Sequence, residues 1–91
     1  MITAIQSKMA RAALGWGVRD LAKKAEVSID TITRLERGEV LQPRTIAAIV
    51  MTFQNSGIEF VEDFPRVGVM RSIGDDPELI DTFNRQMSFR E

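Results

Sequence analysis

The chain has 91 residues, 44% of them hydrophobic, and a formal net charge of −1, which bounds it to one small domain of modest core plus an appendage. It contains no cysteine and no histidine, so disulfides and thiolate metal sites are excluded, and the commonest general base and metal ligand are missing. No stretch is long and apolar enough to span a membrane, and the first residues lack the basic start and apolar run of a secretion signal; the expectation is a cytoplasmic protein with no membrane partner, cofactor or metal.

In chain order, Thr3 with Gln6 forms a capping box that starts a first helix through Ile5, Met9 and Ala13, ending near Gly15. Trp16 to Gly38 then reads as two short amphipathic helices joined by a tight turn. Leu21, Ala22 and Ala25 recur at helical intervals on the first of them, and the small Ala22 permits close approach of the second. Ser28 caps the second helix and Gly38 closes it. Ile32, Leu35 and Glu36 share its inner face, while Ile29, Asp30, Thr33, Arg34 and Arg37 occupy the opposite one. Such a pair can lay its second helix into the major groove of DNA. A fourth helix starts near Pro43, presents Ile46, Ile49, Val50 and Phe53, and ends at Asn55-Ser56-Gly57. Its apolar face is expected to close the core over the first and third helices.

Beyond Gly57 the periodicity changes from helical to alternating. Ile58, Phe60 and Glu62 face one way, Phe64-Pro65 turns the chain, and Val67, Val69 and Arg71 form a second strand. An isolated two-stranded hairpin is marginal in water, so these strands are expected to pair with something else, as a dimerisation element, the alternative being a hairpin that folds back on its own domain. Gly74-Asp75-Asp76-Pro77-Glu78 signals a last helix: Asp76 caps, Pro77 fits the first turn and Glu78 meets the positive end of the dipole. Leu79, Ile80, Phe83 and Met87 follow as an apolar stripe, open to a partner subunit, another protein or the chain's own core.

The charge is split along the chain. Through Gly57 there are eight basic residues against five acidic ones, and beyond it four against eight. The part that would touch DNA is basic and the tail is acidic.

The ordered elements Leu14-Gly15-Trp16, Asp20-Leu21-Ala22, Val27-Ser28, Ile32-Thr33-Arg34-Leu35-Glu36-Arg37-Gly38 and Pro43-Arg44-Thr45 resemble the Cro/cI-like, or XRE, helix-turn-helix family over residues 3–57. The resemblance implies a mainly α fold, a lambda-repressor-like bundle of four to five helices, followed here by a β-hairpin and a C-terminal helix. It divides the chain into a DNA-binding domain, 1–57, and an extension, 58–91. Gly57-Ile58-Glu59-Phe60 with Gly68-Val69 is similar to an extension carried by some small members. That extension is expected to dimerise through Ile58, Phe60, Val67, Val69, Leu79 and Phe83.

By position in this family, Ile29, Asp30, Thr33 and Arg34 are the candidate base readers, with Arg34 suited to a bidentate contact to guanine. Arg19, Lys23, Ser28, Thr31, Arg37 and Arg44 are the candidate contacts to the DNA backbone. Arg11 and Glu36 occupy positions that pair in the family and are expected to form a structural ion pair. Three residues depart from the pattern: Val18 replaces a polar anchor, Glu26 stands where the turn usually has glycine, and Glu39 puts a carboxylate in a loop expected beside a phosphate backbone.

These readings converge on a homodimeric, sequence-specific transcriptional regulator, a repressor, binding double-stranded DNA at a palindromic operator. The alternative is an antitoxin or adaptor that keeps the fold as scaffold and binds a protein partner through the extension. An enzyme is not expected, because Glu59, Glu62 and Asp63 have no nucleophile, metal cluster or phosphate-binding glycine loop beside them.

Overall fold

In a computed structural model, residues 2–74 and 76–88 are described. The chain runs α1 (Ala4–Leu14), α2 (Val18–Ala25), α3 (Ile29–Glu36), α4 (Pro43–Asn55), β1 (Ile58–Asp63), β2 (Arg66–Arg71) and α5 (Pro77–Ser88). The described residues are thus mainly helical, with one antiparallel hairpin between the bundle and the last helix. Among them no helix is long and apolar enough to cross a membrane.

The helix boundaries follow from local chemistry. At the start of α1, Thr3 Oγ1 accepts from Gln6 N at 3.1 Å and Gln6 Oε1 accepts from Thr3 N at 3.0 Å, a complete capping box. Asp20 reaches back to Gly17 N at 2.8 Å to open α2, and Ser28 Oγ accepts from Thr31 N at 3.0 Å to open α3. The three helices end alike. After α1, Trp16 N donates to Arg11 O, after α2 Val27 N donates to Ala22 O, and after α3 Glu39 N donates to Arg34 O. Each end therefore closes through a residue in the left-handed region: Gly15 (φ 70°), Glu26 (φ 57°) and Gly38 (φ 90°). Glycine adopts this conformation freely, whereas Glu26 holds it at a cost of about 1–2 kcal/mol.

The core joins Leu21, Ala22 and Ala25 of α2, Ile32 and Leu35 of α3, and Ile49 and Phe53 of α4, with Ala10 of α1, Ile2 and Ile58. The fourth helix does not lie chiefly over the first and third, as its apolar face led one to expect. α4 packs chiefly on α2 and β1, whereas α1 lies against α3 and β2. β1 offers α4 an apolar surface to pack on, while β2 covers α1. Phe53 shows how: it stacks on Trp16 with ring centroids 5.9 Å apart and 17° between planes, and meets Phe60 of β1 edge-on at 5.9 Å and 75°.

In the hairpin, Ile58 pairs with Arg71, Phe60 with Val69 and Glu62 with Val67. The inward Ile58, Phe60 and Val69 all join the core or pack against it. Between them the buried Gln6 donates from Nε2 to Val61 O at 3.2 Å and to Gly68 O at 3.0 Å, the two residues of one ladder pair. Both amide hydrogens and the amide oxygen of Gln6 are thereby used, so a polar side chain is buried with its hydrogen-bonding capacity met. Arg71 Nη1 adds a bond to Ala13 O at 3.1 Å, which ties the far end of the hairpin to the end of α1.

The last helix is capped by Asp76, whose Oδ1 accepts from Glu78 N at 3.0 Å and Leu79 N at 3.3 Å. Asp75 of its lead-in lies outside the described residues. Leu79 and Ile80 are half-buried, whereas Phe83 and Met87 are exposed. Among the described residues α5 is not closely packed on any other element, and the molecule extends 49 × 30 × 18 Å.

Candidate nucleic-acid interface

The outer face of α3 is held out by what its inner face buries. Ile32 and Leu35 anchor the helix in the core, and Glu36, one position on, is fastened to α1. Arg11 donates from Nε to Glu36 Oε2 at 2.8 Å and from Nη2 to Oε1 at 2.6 Å, a two-pronged ion pair, while Ser7 Oγ donates to Oε2 at 2.6 Å. Their side chains are mostly removed from water, at 19% exposure for Arg11 and 7% for Glu36. Burial opposes ionisation of Glu36, but the hydrogen bonds from Arg11 and Ser7 outweigh it and hold the carboxyl below its ordinary range. The same bond raises the Arg11 guanidinium further above its ordinary value. Arg11 Nη1 also donates to Trp16 O at 3.2 Å, so one guanidinium links α1, the α1–α2 turn and α3.

The four candidate base readers emerge together on the outer side. Ile29, Asp30 and Thr33 are exposed and Arg34 is half-buried at the last turn. Thr33 Oγ1 donates to Ile29 O at 3.1 Å, which uses its proton and leaves the hydroxyl oxygen as an acceptor. Among the candidate backbone contacts, Ser28 and Thr31 meet through their hydroxyls at 2.8 Å at the helix start. Arg19 and Lys23 on α2 and Arg44 at the start of α4 are exposed, and among the described residues none of the three is in an ion pair.

Arg34 and Arg37 are not free in this way. Arg34 Nε donates to Glu39 Oε1 at 3.1 Å and Arg37 Nη2 to Glu39 Oε2 at 2.8 Å. The bond from Arg34, with help from Arg37, holds the Glu39 carboxyl below its ordinary range. The sequence spacing of Arg34 and Glu39 is not a helical one, and only the reversal at Gly38 brings them together. Ser7 escaped sequence reasoning too, although it sits four residues before Arg11 and so shares its face of α1.

Beside Arg34 is a polar cleft of about 210 Å³ lined by Thr31, Arg34, Val40, Leu41, Gln42 and Thr45. It opens at the N-terminus of α4, where Gln42 provides no side-chain cap. The first amides of α4 are therefore available to an acceptor from outside the helix, and the dipole there favours an anion. Among the described residues no group of His, Cys, Asp and Glu side chains is arranged to hold a metal ion.

The residues expected to dimerise fall into two sets. Ile58, Phe60 and Val69 pack in the chain's own core, whereas Val67 and Phe83 are exposed and Leu79 is half-buried.

No curated protein matches the chain. Residues 8–59 match the model of a family described as a helix-turn-helix domain, from the middle of α1 into the start of β1. That span contains α2, the turn at Glu26, α3 and α4, the elements that carry the exposed Arg19, Lys23 and Arg44, and it supports DNA binding. Because the match takes in more than half of the chain, this protein belongs to the helix-turn-helix domain family.

Proposed function

We propose that this protein is a sequence-specific transcriptional regulator of the Cro/cI-like kind, a cytoplasmic repressor that binds double-stranded DNA by laying α3 in the major groove. The observation that carries this reading is the outer face of α3 made by Ile29, Asp30, Thr33 and the half-buried Arg34, together with the exposed cations Arg19 and Lys23 on α2 and Arg44 on α4, none of which is in an ion pair among the described residues. Arg34 meets a guanine, Ile29 meets a thymine methyl, and Asp30 accepts from cytosine or rejects a neighbouring phosphate. Arg19, Lys23, Arg37 and Arg44, with the hydroxyls of Ser28 and Thr31, hold the DNA backbone.

The protein acts as a homodimer through its extension. A helix with Phe83 57% exposed, and not closely packed on any other element among the described residues, gains most by burying its stripe against a second copy. Val67 and Leu79 contribute from the same extension, while Ile58, Phe60 and Val69 serve by fixing its hairpin on the core. Two recognition helices about 34 Å apart then read a palindrome.

The test is selection from a randomised duplex library at two salt concentrations, with Arg34→Ala alongside. A palindromic motif is expected, with one position flattened in the variant. Arg19, Lys23 and Arg44 on the phosphates, with Arg37 shared with Glu39, predict a log–log salt slope of roughly −3 per subunit. Absence of any motif, or of binding even at low salt, refutes the reading. Sedimentation velocity with Phe83→Asp tests the dimer, which the variant is expected to dissociate.

A further inference from the structure

We propose that Glu39 is a specificity-determining residue that buttresses Arg34, holding the Nε edge of its guanidinium so that the terminal Nη1/Nη2 fork is presented to a guanine. This rests on the reading of α3 as the base-reading helix.

The geometry joins Arg34 and Glu39 twice. Glu39 N donates to Arg34 O at 3.1 Å across the close of α3, and Arg34 Nε donates to Glu39 Oε1 at 3.1 Å. The reversal depends on Gly38 at φ 90°, which turns the chain back so that the Glu39 side chain lies along the last turn of the helix. The second carboxylate oxygen is occupied by Arg37 Nη2 at 2.8 Å, so the carboxylate is itself fixed from the other side. Of the five donors of Arg34, the one on Nε is used, and the four on the Nη atoms remain, including the pair that matches guanine O6 and N7.

The side chains of Arg34 and Glu39 are 42% and 43% exposed. An ion pair so open to water adds little to folding stability. What it does is restrict a long, rotamer-rich side chain before binding, which turns a mobile cation into a directed donor. The same carboxylate repels phosphates and occupies Arg37, which lowers attraction to DNA of any sequence. Glu39 therefore exchanges general affinity for discrimination at one base pair, and its position beside a phosphate-facing loop becomes intelligible.

The full-length chain and its Arg34→Ala, Glu39→Ala and Glu39→Gln variants are compared on the duplex enriched from a randomised library, on each of its single-base-pair variants, and on a scrambled duplex. Wild type is expected to lose roughly 10- to 100-fold at one G·C pair when that pair is changed, and Arg34→Ala to flatten that position. Glu39→Ala is expected to flatten the same position to within about 3-fold while binding the scrambled duplex several-fold more tightly, with a salt slope steeper by up to about 1. Glu39→Gln is expected to keep the discrimination, because its amide oxygen still accepts from Nε, and to share the tighter scrambled binding. If Arg34→Ala flattens one position and Glu39→Ala leaves it intact, or weakens all positions equally, the buttress is refuted while α3 stands as the reader. If no motif is enriched, or Arg34→Ala flattens no position, the reading of α3 fails and the buttress falls with it.

Discussion

Replacing Arg11 by methionine keeps most of the volume of the stem and removes the charge that faces Glu36. The Glu36 carboxylate, with its side chain 7% exposed, is left with the Ser7 hydroxyl as its one remaining partner of the three hydrogen bonds it accepts from Arg11 and Ser7. Breaking a buried pair from one side costs about 3–5 kcal/mol, and the partial exposure of Arg11 puts this case near the lower end, because water can enter where the guanidinium stood. A domain of this length has roughly 5–13 kcal/mol in total, so a loss of about 3 kcal/mol is between about a quarter and three fifths of it. At roughly 4–8 °C per kcal/mol, Tm should fall by about 12–24 °C. Thermal and urea unfolding followed by circular dichroism at pH 7 reads this directly. The triple variant Ser7→Ala, Arg11→Met, Glu36→Leu removes the charge and the hydroxyl together, and should return to within about 1 kcal/mol of wild type or exceed it. A single Arg11→Met variant that loses less than about 1 kcal/mol would refute the reasoning, as would a triple variant no more stable than the single one.

Glu36→Gln tests the pH dependence. Since the native carboxyl titrates below its ordinary range, its contribution is complete above the unfolded value of about 4.3 and disappears as pH falls through the native value. Wild-type Tm should therefore fall more steeply than that of Glu36→Gln below about pH 5, and parallel curves would contradict the assignment. Glu26→Gly should stabilise the fold by about 1 kcal/mol, raising Tm by roughly 4–8 °C, because it releases a side chain from φ 57° at the end of α2; an unchanged or lowered Tm counts against strain there. Gln6→Leu removes the bonds to Val61 O, Gly68 O and Thr3 N. It should cost about 2 kcal/mol, with amide exchange in β1 and β2 accelerated more than in α2 and α3. Uniform acceleration would mean that the tether is not local.

Much of this protein is written in short-range patterns. Thr3, Ser28 and Asp76 declare helix starts because a hydroxyl or carboxylate there meets orphaned amides within three residues. Gly15 and Gly38 declare stops because the left-handed conformation is open to them. Alternation from Ile58 to Arg71 names a hairpin, and the i, i+3 and i+4 recurrence of Leu21, Ala25, Ile32 and Leu35 names the faces that go inside. Even the Arg11–Glu36 pair was legible, through the resemblance to a family.

What the tertiary structure decided are the meetings of groups far apart in the chain. Gln6 reads in the sequence as half of a capping box, yet it also holds a hairpin 55 and 62 residues away. Phe53 reads as one more apolar residue of a helix, yet it bridges Trp16 and Phe60 and so draws α4 onto the hairpin. Glu39 reads as an unfavourable charge in a loop, yet it is the common partner of Arg34 and Arg37. Local patterns are set by backbone sterics and hydrogen bonds among near neighbours, which the order of residues encodes directly. Which distant surfaces meet depends on the competition of all apolar faces for one small core, and that is settled only when the whole chain packs.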